Sequence, residues 1–167
     1  GRKAEAAGVR VQWRHGDMAR LDGHERYALV VLSCNSLAHM TDAASLSACL
    51  AGVRRSLAPG GLFAFDVVNP DRRKLERPPA ARFRRGHSGD GLRVRETAVY
   101  DPEAQVRALT WEVRDDDGST KRLQPLRLRQ FFPDELPGLL EAVGLRLIAR
   151  DGDFHGARFG ARSRNQV

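Results

Sequence analysis

The sequence has little cysteine, little lysine and no long apolar run. Cys34 and Cys49 are its only cysteines. Two cannot build a disulfide scaffold, and their spacing matches no metal pattern. Both lie among apolar neighbours, so they read as reduced, packed thiols of a cytoplasmic protein. Nothing approaches the ~20 consecutive apolar residues of a membrane span. Gly1 to Glu5 is followed by no apolar segment, so it does not read as a signal peptide. Lysine occurs only as Lys3, Lys74 and Lys121, and arginine carries the net charge of +7. The arginines are scattered, apart from short clusters such as Arg82, Arg84 and Arg85. Zinc-finger spacing and a recognition-helix stripe are both missing. The charge therefore reads as a solvated, Arg-biased surface rather than a nucleic-acid interface. No internal repeat is visible, and 167 residues fit a single domain, 1–167.

What the chain does have is an unusually well-marked stretch from Tyr27 to Met40. Tyr27 to Leu32 is a continuous apolar run, the pattern of a strand buried on both faces in a helix-covered parallel sheet. Ser33-Cys34-Asn35-Ser36 then stops it abruptly. In open α/β sheets the carboxyl ends of the strands face the ligand crevice. That places a site around Ser33 to His39.

The remaining elements follow from local signals. Arg2 to Ala7 reads as the end of a helix stopped by Gly8. Val9 to His15 alternates like a strand, and Gly16-Asp17-Met18 turns out of it. Thr41 and Asp42 cap a helix running to about Leu57, with Leu46, Leu50 and Val53 on its apolar face. Pro59-Gly60-Gly61 turns the chain into Leu62 to Val68, a second doubly buried strand. Arg72 to Gly91 reads as a flexible arm. Leu92 to Tyr100, Val106 to Arg114 and Leu123 to Phe131 read as an antiparallel meander, so arm and insertion together span 72–131. Asp101-Pro102-Glu103 and Asp115 to Gly118 are its turns. Phe132 to Val143 reads as a last helix ended by Gly144, and Leu145 to Arg150 as a last strand. Strands alternating with helices predict right-handed crossovers and parallel pairing.

This order, with its punctuation, resembles the class I S-adenosylmethionine-dependent methyltransferases of small-molecule type. Gly16-Asp17-Met18 looks like the family's adenine-binding turn. Tyr27 to Met40 looks like its fourth strand and the loop after it. Leu57 to Phe63 looks like its "LxPGG" turn, and Phe132 to Gly144 like its late helix. The resemblance implies an α/β, Rossmann-like, mostly parallel sheet, in its carboxyl-terminal part, with an antiparallel β insertion. The Gly-rich turn and ribose-binding acid that open the family's cofactor site have no match here. The chain is therefore expected to be the carboxyl-terminal two-thirds of such an enzyme, with Asn165 to Val167 near the start of its last antiparallel strand.

The implied cofactor is S-adenosyl-L-methionine, with Gly16, Asp17, Met18, Ser33, Cys34 and Asn35 as cofactor-binding residues. Asp17 is read either as a partner of the adenine amine or as a cap of its own turn. His39 is the candidate catalytic residue. Methyl transfer needs an aligned neutral nucleophile, and a near-neutral imidazole can take an amine's proton. It reads equally as a capping or packing His. Asn69, Tyr100, Arg127 and Arg129 are the candidate acceptor contacts, since an Arg fork can clamp a carboxylate or phosphate. Asp66, Asp71 and Trp111 lie beside them, with Asp71 read as turn chemistry. Asp153 and His155 have metal-compatible side chains but too few partners, so no metal is expected. The implied partner is a small-molecule acceptor taking the methyl on N or O, with no membrane and no nucleic acid, and a homodimer contact through the antiparallel insertion. The competing readings are an inactive binding module on the same fold and an RNA methyltransferase.

Overall fold

The computed structural model describes residues 2–78, 82–85, 93–114 and 119–167; for 82–85 only the backbone is considered. Helix α1 (Arg2–Ala6) ends at Gly8, whose positive φ of 65° suits glycine. The expected strand at Val9 to His15 is absent. Its residues are exposed and belong to no ladder. An alternating pattern becomes a strand only where a neighbour accepts its hydrogen bonds.

Strand β1 (Tyr27–Leu32) and strand β2 (Leu57–Phe65) pair in parallel, joined by helix α2 (Ala43–Ser56). Asp42 caps α2 by accepting from the backbone N–H and the hydroxyl of Ser45, at 2.8 and 2.7 Å. Leu46, Leu50 and Val53 are buried on its inner face, as their spacing predicts. The Pro-Gly-Gly turn lies inside β2 rather than before it. Pairing jumps from Tyr27↔Leu57 to Leu29↔Leu62, so Ala58 to Gly61 bulge out of the ladder. Gly60 takes φ 75°. A Cβ on Gly61 would lie 2.9 Å from the carbonyl oxygens of both Ala58 and Tyr27, so only glycine fits the bulge.

Double burial of these two strands is not what the structure shows. Val30, Leu32, Phe63 and Phe65 are half-buried on the α2 side, where Phe63 stacks on Phe65 at 4.9 Å. Leu29, Val31 and Leu62 on the other face are 54%, 59% and 52% exposed. Continuous apolar runs encode two buried faces; the described residues supply cover for one.

Past Asp66 the chain enters β3 (Val67–Val68), which pairs antiparallel with β9 (Asn165–Gln166) at the chain's end. The expected arm is partly regular, with helix α3 (Arg72–Leu75) and strand β4 (Arg82–Arg85). Residues 79–81 and 86–91 of it, and the turn at 115–118, lie outside the described residues. The meander is present as β5 (Arg93–Asp101) and β6 (Val106–Arg114). Its third run, Leu123 to Phe131, is a strand only over β8 (Leu126–Arg129); β7 (Thr120–Arg122) precedes that run, and both pair with β6. Pro125 stands between them, and a residue without an N–H interrupts a ladder. β4 completes this sheet on the far side of β5. Among the described residues the parallel pairing is β1–β2, and the antiparallel ladders are those of the expected insertion together with β3–β9.

Helix α4 (Leu136–Glu141) is shorter than Phe132 to Val143, because Pro133 to Glu135 form a separate turn before it. Leu145 to Arg150 is extended but has no ladder partner, so it is no strand; Leu145 and Leu147 still pack on the core. That core gathers Leu37, Ala38 and Met40 with Leu46, Cys49 and Leu50 of α2, Val67, Phe131, and Leu136 and Leu140 of α4. The loop after β1 is thus part of the core that joins the two layers.

Candidate functional site: the bend after strand β1

The chain leaves β1 through Ser33 into two consecutive left-handed residues, Cys34 (φ 62°) and Asn35 (φ 58°). Neither is glycine, so each holds a sparsely populated conformation. Such a bend persists only where its surroundings over-determine it. Here Asp66 does that. Its Oδ2 accepts the Asn35 N–H at 2.9 Å, across the carboxyl ends of β1 and β2. Asn35 in turn accepts the Val68 N–H on its Oδ1 at 3.0 Å. Ser36 Oγ donates to the Ser33 carbonyl at 2.5 Å. Asp66 is buried, and its Oδ1 has no hydrogen-bond partner among the described residues. A buried acceptor left open is costly, and it is the kind of group a ligand or water satisfies.

The bend feeds a 3-10 turn, Ser36–His39, that buries Leu37 and Ala38 and leaves His39 exposed. Ser33 and Cys34 are exposed too. Cys34 is therefore not a packed thiol as expected, because left-handed backbone turns it away from the core. Cys49 is fully buried, and burial raises its thiol above the ordinary value of 9.0, with the Asp17 charge adding to the rise.

Asp17 caps a second 3-10 turn, Met18–Arg20, by accepting the Ala19 N–H at 2.9 Å. Its carboxylate stays largely exposed. Met18 and Ala19 pack on the same core cluster as Leu37, Ala38 and Met40. The two turns singled out in the sequence are therefore tied to one core, although a Cβ at Gly16 would meet only open space.

The expected acceptor residues divide. Asn69 donates its side-chain amide to the Ser163 carbonyl at 2.9 Å, and its backbone N–H to the Arg164 carbonyl at 2.8 Å, so it holds the chain's end. Asp71 caps α3 and pairs with Lys74 at 3.1 Å; that lysine, then backbone hydrogen bonds, lowers its carboxyl. Arg129 is half-buried and bonds Gln105 and Glu135 at 3.2 and 3.1 Å, while Glu135 also accepts the Phe132 N–H. Its place is structural. Arg127 is exposed. Strand register puts Tyr100, Arg107 and Leu128 on one face of the sheet, with Arg127 and Arg129 on the other. Tyr100 and the two arginines were expected together, and the pleat separates them. Trp111 donates its ring N–H to Glu96 at 3.1 Å across the β5–β6 pair. Asp153 accepts the N–H groups of His155 and Ala157, a turn cap. Among the described residues no three metal-binding side chains gather.

Residues 1–61 match the family model described as methyltransferase domain. The chain is similar to the CcbJ methyltransferase from Streptomyces caelestis, with 30% identity and a TM-score of 0.75. The chain therefore carries a methyltransferase-domain sequence pattern over residues 1–61 and shares the fold of that methyltransferase. That similarity covers 90% of this chain and 59% of the CcbJ chain, so this chain spans less than two thirds of its relative. An S-adenosylmethionine-dependent methyltransferase from Clostridium acetobutylicum shares the fold at TM-score 0.78 and 14% identity, over 99% of this chain and 66% of that one. The amino pentose methyltransferase CalS10 from Micromonospora echinaspora does so at TM-score 0.60 and 18% identity, over 90% and 61%. No curated protein sequence matches the chain.

Sequence reasoning singled out Ser33 to Asn35 but missed the residue that holds that bend. Asp66 was read only as one of several polar residues after a strand. The available signal was position: a carboxylate interrupting an apolar strand at the same end as the bend.

Proposed function

We propose that the chain works as an S-adenosylmethionine-dependent methyltransferase that moves a methyl group to N or O of a small molecule. The observation that carries this reading is the strained bend at Cys34 and Asn35, held by buried Asp66. Its exposed small residues let a ligand approach the backbone, and the open Asp66 oxygen offers an acceptor beneath it. These features fit the cofactor. Ser33, Cys34 and Asn35 would hold its amino-acid and sulfonium portion, while Gly16, Asp17 and Met18 would take the adenine. The bound cofactor supplies an electrophilic methyl carbon. His39, exposed at the end of the same turn, takes the proton an amine acceptor releases, directly or through water. Leu37 and Ala38 anchor that turn in the core and so fix where His39 stands. The antiparallel sheet is the dimer contact, and sedimentation velocity tests it.

The test is calorimetry of S-adenosylhomocysteine with this chain and with the full gene product that carries it. Binding by the gene product, weakened about tenfold or more in Asp66→Ala, is the expected result; tenfold is about 1.4 kcal/mol. Failure of both proteins to bind overturns the reading and favours an inactive module. Salt-dependent RNA binding in place of cofactor binding would favour an RNA methyltransferase.

A further inference from the structure

Between α3 and the antiparallel sheet lies a cavity of about 150 Å³. It is lined by Lys74, Arg77 and Arg107, with Tyr100 and apolar Leu75 and Ala98. Tyr100 and Arg107 are directly opposed across the β5–β6 pair and so point the same way. Among the described residues no carboxylate lines it. Lys74 is partly neutralised by Asp71. Arg77 and Arg107 have no ion-pair partner among the described residues. Of the acids that act on Tyr100, Glu135 is engaged with Arg129 and Phe132, and Asp101 with the N–H groups of Glu103 and Ala104; Glu76 is the third, beside Arg77. Burial raises the Tyr100 hydroxyl above its ordinary value of 10.0, against the opposing pull of Arg72. It therefore stays a neutral donor.

We propose that this cavity seats an anionic group, carboxylate or phosphate, carried by the methyl acceptor. Two guanidinium forks and a phenol hydroxyl present donors suited to two or three anionic oxygens at once. The location suits an acceptor as well. Arg107 pairs with Leu128 of β8, and β8 packs against the Ser36–His39 turn. Neighbouring strands lie about 5 Å apart, so the cavity is one or two strand widths from the strand that touches the His39 turn. A small molecule a few rings long spans that distance, with its anion here and its nucleophile at His39. The assignment to the acceptor rests on the proposed methyl transfer; the anion site itself does not.

The experiment is calorimetric titration of the chain with inorganic phosphate and, separately, with acetate at low ionic strength. One saturable site in the millimolar range is expected, with Arg107→Gln and Arg77→Gln each weakening it about fivefold or more. Arg107→Lys should restore part of the loss, and Arg122→Gln, on exposed β7, should bind as the parent does. Tighter phosphate binding identifies a phosphate on the acceptor, and acetate alone a carboxylate. Absence of a saturable site overturns the proposal, as does equal weakening by Arg122→Gln or unchanged binding by both Arg77→Gln and Arg107→Gln. Should Arg107→Gln misfold by near-ultraviolet circular dichroism, Arg77→Gln and Tyr100→Phe carry the test. S-adenosylhomocysteine binding is measured in parallel on this chain and on the full gene product. Its absence from both with anion binding intact condemns the methyltransferase reading and leaves the cavity assignment standing.

Discussion

The parallel pair β1–β2 has two faces of nearly equal hydrophobicity and opposite fate. On one, Val30, Leu32, Phe63 and Phe65 lie under α2; on the other, Leu29, Val31 and Leu62 stand open. Sequence pattern reports what a strand is able to bury, whereas burial itself depends on what covers it. The α2 side is also the side on which the core anchors the bend after β1. Stability and site geometry should therefore respond to substitutions on that side and hardly at all to the open one.

The largest effect is expected in the covered layer. Leu50→Ala removes a fully buried side chain between α2 and the core and should cost about 2–5 kcal/mol in urea unfolding. Leu29→Ala on the open face should change stability by no more than about 0.5 kcal/mol. Equal losses at the two positions would mean that the open face is covered in solution.

A smaller loss, about 1–3 kcal/mol, is expected for Gly61→Ala, because the added methyl meets two backbone oxygens that cannot both retreat. Thermal unfolding measures it. Gly60→Asn, which tolerates the left-handed backbone, should cost less.

Asp66→Ala should leave the fold intact but loosen the bend, since it removes the acceptor of the Asn35 N–H. A loss of about 1–3 kcal/mol is expected, typical of a buried donor left without its partner. Asp66→Asn keeps an acceptor and should restore most of the loss. Equal behaviour of the two variants would show that the carboxylate's charge, rather than its hydrogen bond, sets the bend.

The smallest effect is a pH dependence. Backbone and side-chain hydrogen bonds from Ser45 lower the Asp42 carboxyl below its ordinary value of 3.8. A depressed folded value means that the stabilisation is fully present above about 3.8 and is lost as pH falls through the lower folded value. Asp42→Asn keeps a cap without titrating, so its melting temperature should fall less than the parent's between about pH 5 and pH 2.5. Parallel curves would remove Asp42 from the acid response.

Much of this was legible in the residues. α2, its Asp42 cap and the β5–β6 hairpin all rest on local rules, and all are where those rules put them. The misses are non-local. Val9 to His15 and Leu145 to Arg150 have strand patterns without partners. Pro125 delays to Leu126 a strand that periodicity starts at Leu123. Whether Tyr100 shares a face with Arg107 or Arg129 depends on register across two turns, which composition does not encode. The bend was visible as small polar residues; its left-handed backbone and its Asp66 brace, thirty-one positions away, were not.

Amide hydrogen exchange of the full gene product with and without S-adenosylhomocysteine tests most directly whether the bend after β1 is where the cofactor lies. The account predicts slowed exchange at residues 33–40 and 17–19 on binding, with the open-face positions 29 and 62 unchanged. Ligand binding that leaves 33–40 exchanging at the free rate would contradict it.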